Sequence, residues 1–199
     1  MTRFHLLFLL LLLVIAAPFA TADTILLTNN NLGIVGSIGS VNLTQKAGGV
    51  MVTLQANSGY SFKLQGGDIA FNTSAGLSAG SISSLLIDGK YTANFSFDSN
   101  KNISQFGRFT YDLANLSKGS LPHGYVSANT ISFFISGVKL SQLHPYSWGV
   151  HFCTASGSNC GPQTGFATNS PTVPEPGTLS LLGTGLAGLA GVLRRRFRS

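Results

Sequence analysis

Val50-Met51-Val52-Thr53-Leu54-Gln55, then Asn57-Ser58-Gly59, then Tyr60-Ser61-Phe62-Lys63-Leu64-Gln65: this stretch decides the fold class. On either side of the small polar triplet, apolar and polar residues alternate with period two. Such alternation puts one face of an extended strand inside and the other outside. The triplet is turn chemistry. The same pattern recurs outward along the chain, in Ala93, Phe95, Phe97; Phe109, Tyr111, Leu113; Ile131, Phe133, Ile135; and Trp148, Val150, Phe152. Turn residues lie between these runs at Gly66-Gly67-Asp68, Asp88-Gly89-Lys90, Asp98-Ser99-Asn100 and Lys118-Gly119-Ser120. Asp88-Gly89, between Leu85-Leu86-Ile87 and Tyr91, is the strongest hairpin signal, because both residues tolerate the left-handed turn that matches strand twist. No amphipathic helix of useful length and no internal repeat interrupts the series. Many short strands with frequent turns predict a mainly β protein, an antiparallel β-sandwich of jelly-roll-like kind.

The chain has 199 residues and both ends read as address labels rather than fold. At the front, one arginine precedes the apolar run Leu6 to Ala17, Pro18 ends it, and Ala20-Thr21-Ala22 supplies the small-x-small pattern of a signal peptidase site. Residues 1–22 are therefore expected to be a signal peptide cut after Ala22. The alternative is an uncleaved anchor, for which the run is short against the roughly 20 apolar residues a spanning helix needs. Residues 23–166 are expected to form the β-domain, and the Gly/Ser/Asn/Pro-rich composition predicts a linker over 167–172.

The formal net charge of +6 is set by the labels, since Arg3, Arg194, Arg195, Arg196 and Arg198 all lie there. Between the labels, seven basic residues stand against Asp23, Asp68, Asp88, Asp98 and Asp112, which leaves the body near +2. No basic stripe is visible, so the charge is no argument for nucleic acid.

At the back, Val173-Pro174-Glu175-Pro176-Gly177-Thr178 is followed by the uncharged run Leu179 to Leu193 and then by Arg194, Arg195, Arg196 and Arg198. The prolines hold the approach extended. About fifteen residues at about 1.5 Å rise span about 22 Å, against an apolar membrane core of about 30 Å, so this is a marginal transmembrane helix. Its arginines would stay cytoplasmic and leave the body outside. Gly183, Ala187 and Gly191 fall four apart, a small-residue face that permits close helix contact. This ordered triplet over 173–199 closely resembles the PEP-CTERM sorting signal. The resemblance implies recognition by an exosortase, an integral membrane enzyme, with loss of the helix, and a host that makes exopolysaccharide. A plain C-terminal anchor is the alternative. The body is also similar to a β-domain found among PEP-CTERM proteins, in Ile69-Ala70-Phe71-Asn72, Phe106-Gly107-Arg108-Phe109-Thr110-Tyr111, Ile131-Ser132-Phe133-Phe134-Ile135, His151-Phe152 and Thr164-Gly165-Phe166. That second resemblance implies no activity.

Cys153 and Cys160, the only cysteines, flank a flexible six-residue loop in a chain sent to an oxidising compartment, which predicts a disulfide. A metal site using both with His151 would have three ligands and lack a fourth; two buried thiols are the other alternative. Asp98, Asn100 and Asn102 have the spacing that opens a calcium loop, but Ile103 stands where glycine is needed and Phe109 where the bidentate Glu belongs, so a hairpin turn is expected there and no metal. Asp68 and Asp112 could act as acids, yet no spacing pairs them, and a glycoside hydrolase needs two carboxylates across one bond. No phosphate loop or nucleophile elbow appears, so no enzyme activity and no cofactor are expected. Tyr146 and Trp148, following His144-Pro145, are the candidate aromatics for stacking on sugar. The Asn-x-Ser/Thr triplets at Asn42, Asn72, Asn94, Asn102 and Asn115 are assigned no glycan. The leading expectation is a surface or matrix protein associated with exopolysaccharide or biofilm; a carbohydrate-binding module and an envelope hydrolase are the alternatives.

Overall fold

The structure is a computed structural model that describes residues 22–169, apart from 104, 144–146 and 157–158. The expected signal peptide with Ala20, the Pro174-Glu175-Pro176 motif, the apolar helix, the terminal arginines and Tyr146 all lie outside the described residues. Among the described residues no helix is long and apolar enough to cross a membrane.

Antiparallel strands account for most of the domain. They are β1 (Ala22–Leu27), β2 (Asn29–Asn30), β3 (Gly39–Lys46), β4 (Gly49–Ala56), β5 (Tyr60–Lys63), β6 (Asp68–Phe71) and β7 (Ile82–Ile87), then β8 (Tyr91–Ile103), β9 (Gly107–Gly119), β10 (Ser127–Ala128), β11 (Thr130–Ser136), β12 (Trp148–Ser156) and β13 (Asn159–Thr168). Among the described residues, one four-residue helix, α1 (Leu140–Leu143), and a 3-10 turn at Ala79–Ser81 are the helical pieces. The sheet runs in the order β1-β3-β4-β11-β7-β8-β9-β6-β12-β13-β2, with β5 joining β12 and β10. β8 belongs to both halves: its start pairs with β7, and its remainder pairs with β9.

The period-two reading sets what is inside. Val50, Val52 and Leu54 are fully buried, as are Ile131, Phe133 and Ile135, and Trp148, Val150 and Phe152. β4 and β11 lie side by side in register, Leu54 opposite Ile131 and Val52 opposite Phe133, though nearly eighty residues separate them in the chain. One large core draws Val41 and Leu54 from one half of the sheet and Phe62, Ile69 and Trp148 from the other. At the best hairpin signal, Asp88 and Gly89 take φ of 49° and 65°, and Ile87 faces Tyr91 as expected.

Three expectations are corrected. Asp98-Ser99-Asn100 does not turn; it continues β8, because Asn100 absorbs a left-handed φ of 61° within the strand. The reversal falls later, where the Phe106 N–H donates to the Ile103 carbonyl at 3.0 Å. Lys118-Gly119 likewise stays in β9, opposite Asn94 and Ala93. The linker expected over 167–172 starts no earlier than residue 170. Ala167 and Thr168 are fully buried in β13, paired with β12 on one side and with Asn30 and Asn29 on the other. Pairing on both edges outlasts the change in composition.

Candidate functional site

Trp148 is not a sugar platform. It is fully buried and stacked on Phe71, centroids 5.0 Å apart and planes 18° apart. Period two on β12 sends Trp148, Val150 and Phe152 to one face, and that face is the core. The other tyrosines are also engaged: Tyr60 lies edge-on to Phe152, and Tyr91 to Tyr125.

Cys153 and Cys160 form a disulfide across the β12–β13 hairpin, Cα atoms 5.4 Å apart. A bulge between Cys153 and Ala155 brings Cys160 opposite Ala155, close enough to reach Cys153. With both sulfurs so bonded, no thiolate joins His151 in a metal site. The His151 ring instead stacks on Phe166 at 4.4 Å, with Nδ1 3.1 Å from the Gly66 carbonyl oxygen. Burial, and then the Lys63 charge, hold its pKa below the ordinary histidine value, against the opposing pull of the Gly66 carbonyl. No group of three or more His, Cys, Asp or Glu side chains placed to hold a metal occurs among the described residues.

No spacing along the chain pairs Asp68 with Asp112, yet the fold brings both to one lysine. Strands β8, β9 and β6 lie side by side. Lys101 Nζ is 2.9 Å from Asp68 Oδ1 and 3.3 Å from Asp112 Oδ2. Asp112 is fully buried and neither of its oxygens has a well-formed hydrogen bond. Burial raises its pKa to about 7, the neighbouring Asp68 charge adds to the rise, and Lys101 partly offsets it. Burial pulls the Lys101 pKa down, but the Asp68 hydrogen bond and the two carboxylate charges outweigh that and keep the ammonium above its ordinary value.

Ala70, opposite Asp112 on β6, belongs to a second, smaller cluster with Ile103, Phe106 and Phe109, with Phe166 against it. On β6, Ile69 and Phe71 point into the main core while Ala70 points the other way. Register sets Asp112 opposite Ala70, on the face turned away from the main core, and Lys101 opposite Phe109. The β8–β9 hairpin closes over that face. A Cβ on Gly149 would stand 3.0 Å from Phe109 and 3.1 Å from Ile103, so those two side chains would have to give for any larger residue there. The only hint in the sequence was an aspartate inside the apolar run of β9.

Beside the hairpin lies an open groove of about 370 Å³, lined by Asn72, Ser99, Asn100, Arg108, Phe109, Thr110 and Tyr111. Asn72 Oδ1 accepts from the Thr110 N–H at 2.7 Å and its hydroxyl at 3.0 Å, and Arg108 donates to Asn100 Oδ1 at 3.3 Å. The supposed calcium residues belong to this exposed strand rather than to a loop wrapped round a cation.

These features define an antiparallel β-domain tied by a disulfide, with a marked tail behind it. Residues 172–196 match the family model of the PEP-CTERM protein-sorting motif, so the chain carries that motif in its tail. The motif assigns it to exosortase processing, with export and sorting to the envelope or surface. No curated protein and no solved structure matches the chain.

Proposed function

We propose that this protein is a non-enzymatic surface or matrix component that associates with exopolysaccharide once sorted. The observation that carries the reading is the sorting motif at 172–196, placed directly behind a disulfide-tied β-domain. Residues 1–22 act as the signal peptide, signal peptidase cuts after Ala22, and the tail helix holds an inner-membrane intermediate until the exosortase removes it. The two halves of the sheet pack face to face as a sandwich; their shared core supports this. The decisive measurement is the C-terminal peptide of surface-located protein. Truncation near Pro174-Glu175-Pro176 supports the reading; a peptide ending at Ser199 makes the tail an ordinary anchor and defeats it.

The open groove favours a second reading, a carbohydrate-binding module, with Arg108, Asn72 and Asn100 offering hydrogen bonds to a saccharide. A glycan array separates the two. Binding abolished by Arg108→Ala supports the module, and no binding to any glycan removes it.

A further inference from the structure

We propose that Lys101 and Asp112 condense to an intramolecular isopeptide bond, with Asp68 as the catalytic proton carrier. Three observations on neighbouring strands carry it. The Lys101 amine stands 3.3 Å from a carboxyl oxygen of Asp112. That carboxyl is fully buried, and no well-formed hydrogen bond holds either oxygen in place. A second carboxylate, Asp68, sits 2.9 Å from the same nitrogen.

The Lys101 side chain is 31% exposed, but the Asp112 carboxylate is fully buried, and its attraction to the ammonium only partly repays the cost of desolvating it. Moving one proton from Lys101 to Asp112 gives a neutral amine beside a neutral acid. The high pKa of Asp112 lowers the cost of that transfer, whereas the pull of both carboxylates on the ammonium opposes it. Nζ then attacks Cγ of Asp112. Asp68 takes the second proton from nitrogen and hands it to the departing hydroxyl. The C–O bond breaks, the C–N bond forms, one water leaves, and Asp68 ends as it began. Ammonium and carboxylate have become amide and water, and no oxidant or other reactant is needed. In free solution water opposes this condensation. Fixed on adjacent strands, the two groups meet at an effective concentration that for well-oriented pairs reaches about 10⁵–10⁸ M. The full burial of Asp112 excludes bulk water from the carboxyl side. The product would tie β8 to β9 covalently within their hairpin.

The test is mass spectrometry of the full chain, expressed with export and recovered mature. The wild-type protein is expected to be one water lighter than its disulfide-bonded sequence. Lys101→Arg keeps a cation beside both carboxylates but offers no amine, and is expected at full mass with the fold intact by circular dichroism. Trypsin should spare the acylated Lys101 and release peptide 91–108 joined to peptide 109–118. Asp68→Asn keeps both partners and is expected to link slowly or not at all. A wild-type protein at full mass, with free Lys101 and Asp112 peptides, overturns the proposal. So does loss of water from Lys101→Arg. Linkage of Asp68→Asn at the wild-type rate overturns the role of Asp68. None of these outcomes depends on how the tail is processed.

Discussion

Asp88 and Thr130 hold each other twice: the Asp88 N–H donates to the Thr130 carbonyl at 2.8 Å, and the Thr130 N–H donates to Asp88 Oδ1 at 2.7 Å. The same oxygen accepts from the Asn129 N–H at 2.9 Å, while Oδ2 takes a hydrogen bond from the Tyr125 hydroxyl. One turn residue thus pins β7 to the entry of β11. Hydrogen bonds to a charged acceptor contribute about 1.5–3 kcal/mol each, and their loss is not additive. Asp88→Ala is expected to lower unfolding stability by about 2–3 kcal/mol, and Asp88→Asn, which keeps one oxygen and tolerates the left-handed φ, by about 1 kcal/mol. Urea denaturation reads both; equal midpoints for the two variants would count against this pinning.

The disulfide closes a short loop, so its effect on the unfolded chain is modest. Cys160→Ser is expected to cost about 2–3 kcal/mol by the loop-entropy relation. Thermal melting with and without reductant should move the wild-type protein and leave the variant still. Non-reducing peptide mapping should find the Cys153–Cys160 peptide in exported material.

His151 makes the domain sensitive to acid. Its folded pKa lies below the ordinary 6.5, so between those two values the unfolded chain binds more protons than the folded one. Its contribution is complete above pH 6.5 and is lost as pH falls through the folded pKa. His151 should therefore lower the melting temperature from about pH 7.5 to about pH 5, against an opposite pull from Asp112, whose raised folded pKa favours the folded state on the acid side. His151→Phe, which keeps a ring against Phe166, should show a smaller drop. An identical pH profile in both proteins would assign the acid effect elsewhere.

Gly149 is where the hairpin meets the sheet. Gly149→Ala places a methyl group against Phe109 and Ile103. Overpacking of this kind costs about 1–3 kcal/mol. Hydrogen exchange should show the loss concentrated in β8 and β9 around the second cluster. A uniform loss across all strands would mean that Gly149 matters for some other reason.

Replacing Pro174, Glu175 and Pro176 with alanine should leave export intact and trap full-length protein in the inner membrane. Deleting Arg194, Arg195, Arg196 and Arg198 should instead disturb the orientation of the tail. Fractionation followed by an immunoblot against the body separates the two results. Normal surface release of the alanine variant would count against the motif as the recognition element.

Strands were legible wherever one face is buried, as in Val50-Val52-Leu54 and Ile131-Phe133-Ile135, because burial of one face forces period two. β3 was overlooked although Val41 and Leu43 alternate in the same way, and both are fully buried. Turn residues were less informative. Asp88-Gly89 turns and Asp98-Ser99-Asn100 does not, since a left-handed residue can either reverse a strand or twist it. Trp148 carries two signals in the sequence: its nearness to His144 and Pro145 suggests a loop aromatic, and its alternation with Val150 and Phe152 points to the core, where it lies.

By itself the sequence determined the strand-forming character of the body, the Cys153–Cys160 pairing and the sorting tail. Each is local: a periodicity, a short loop, an ordered triplet of segments. Only the tertiary structure decided that β4 neighbours β11, that Trp148 stacks on Phe71, and that Asp68, Lys101 and Asp112 meet. Those relationships join residues far apart in the chain. They follow from which strands pair in which register, and that choice is made by the packing of the whole core rather than by any segment alone.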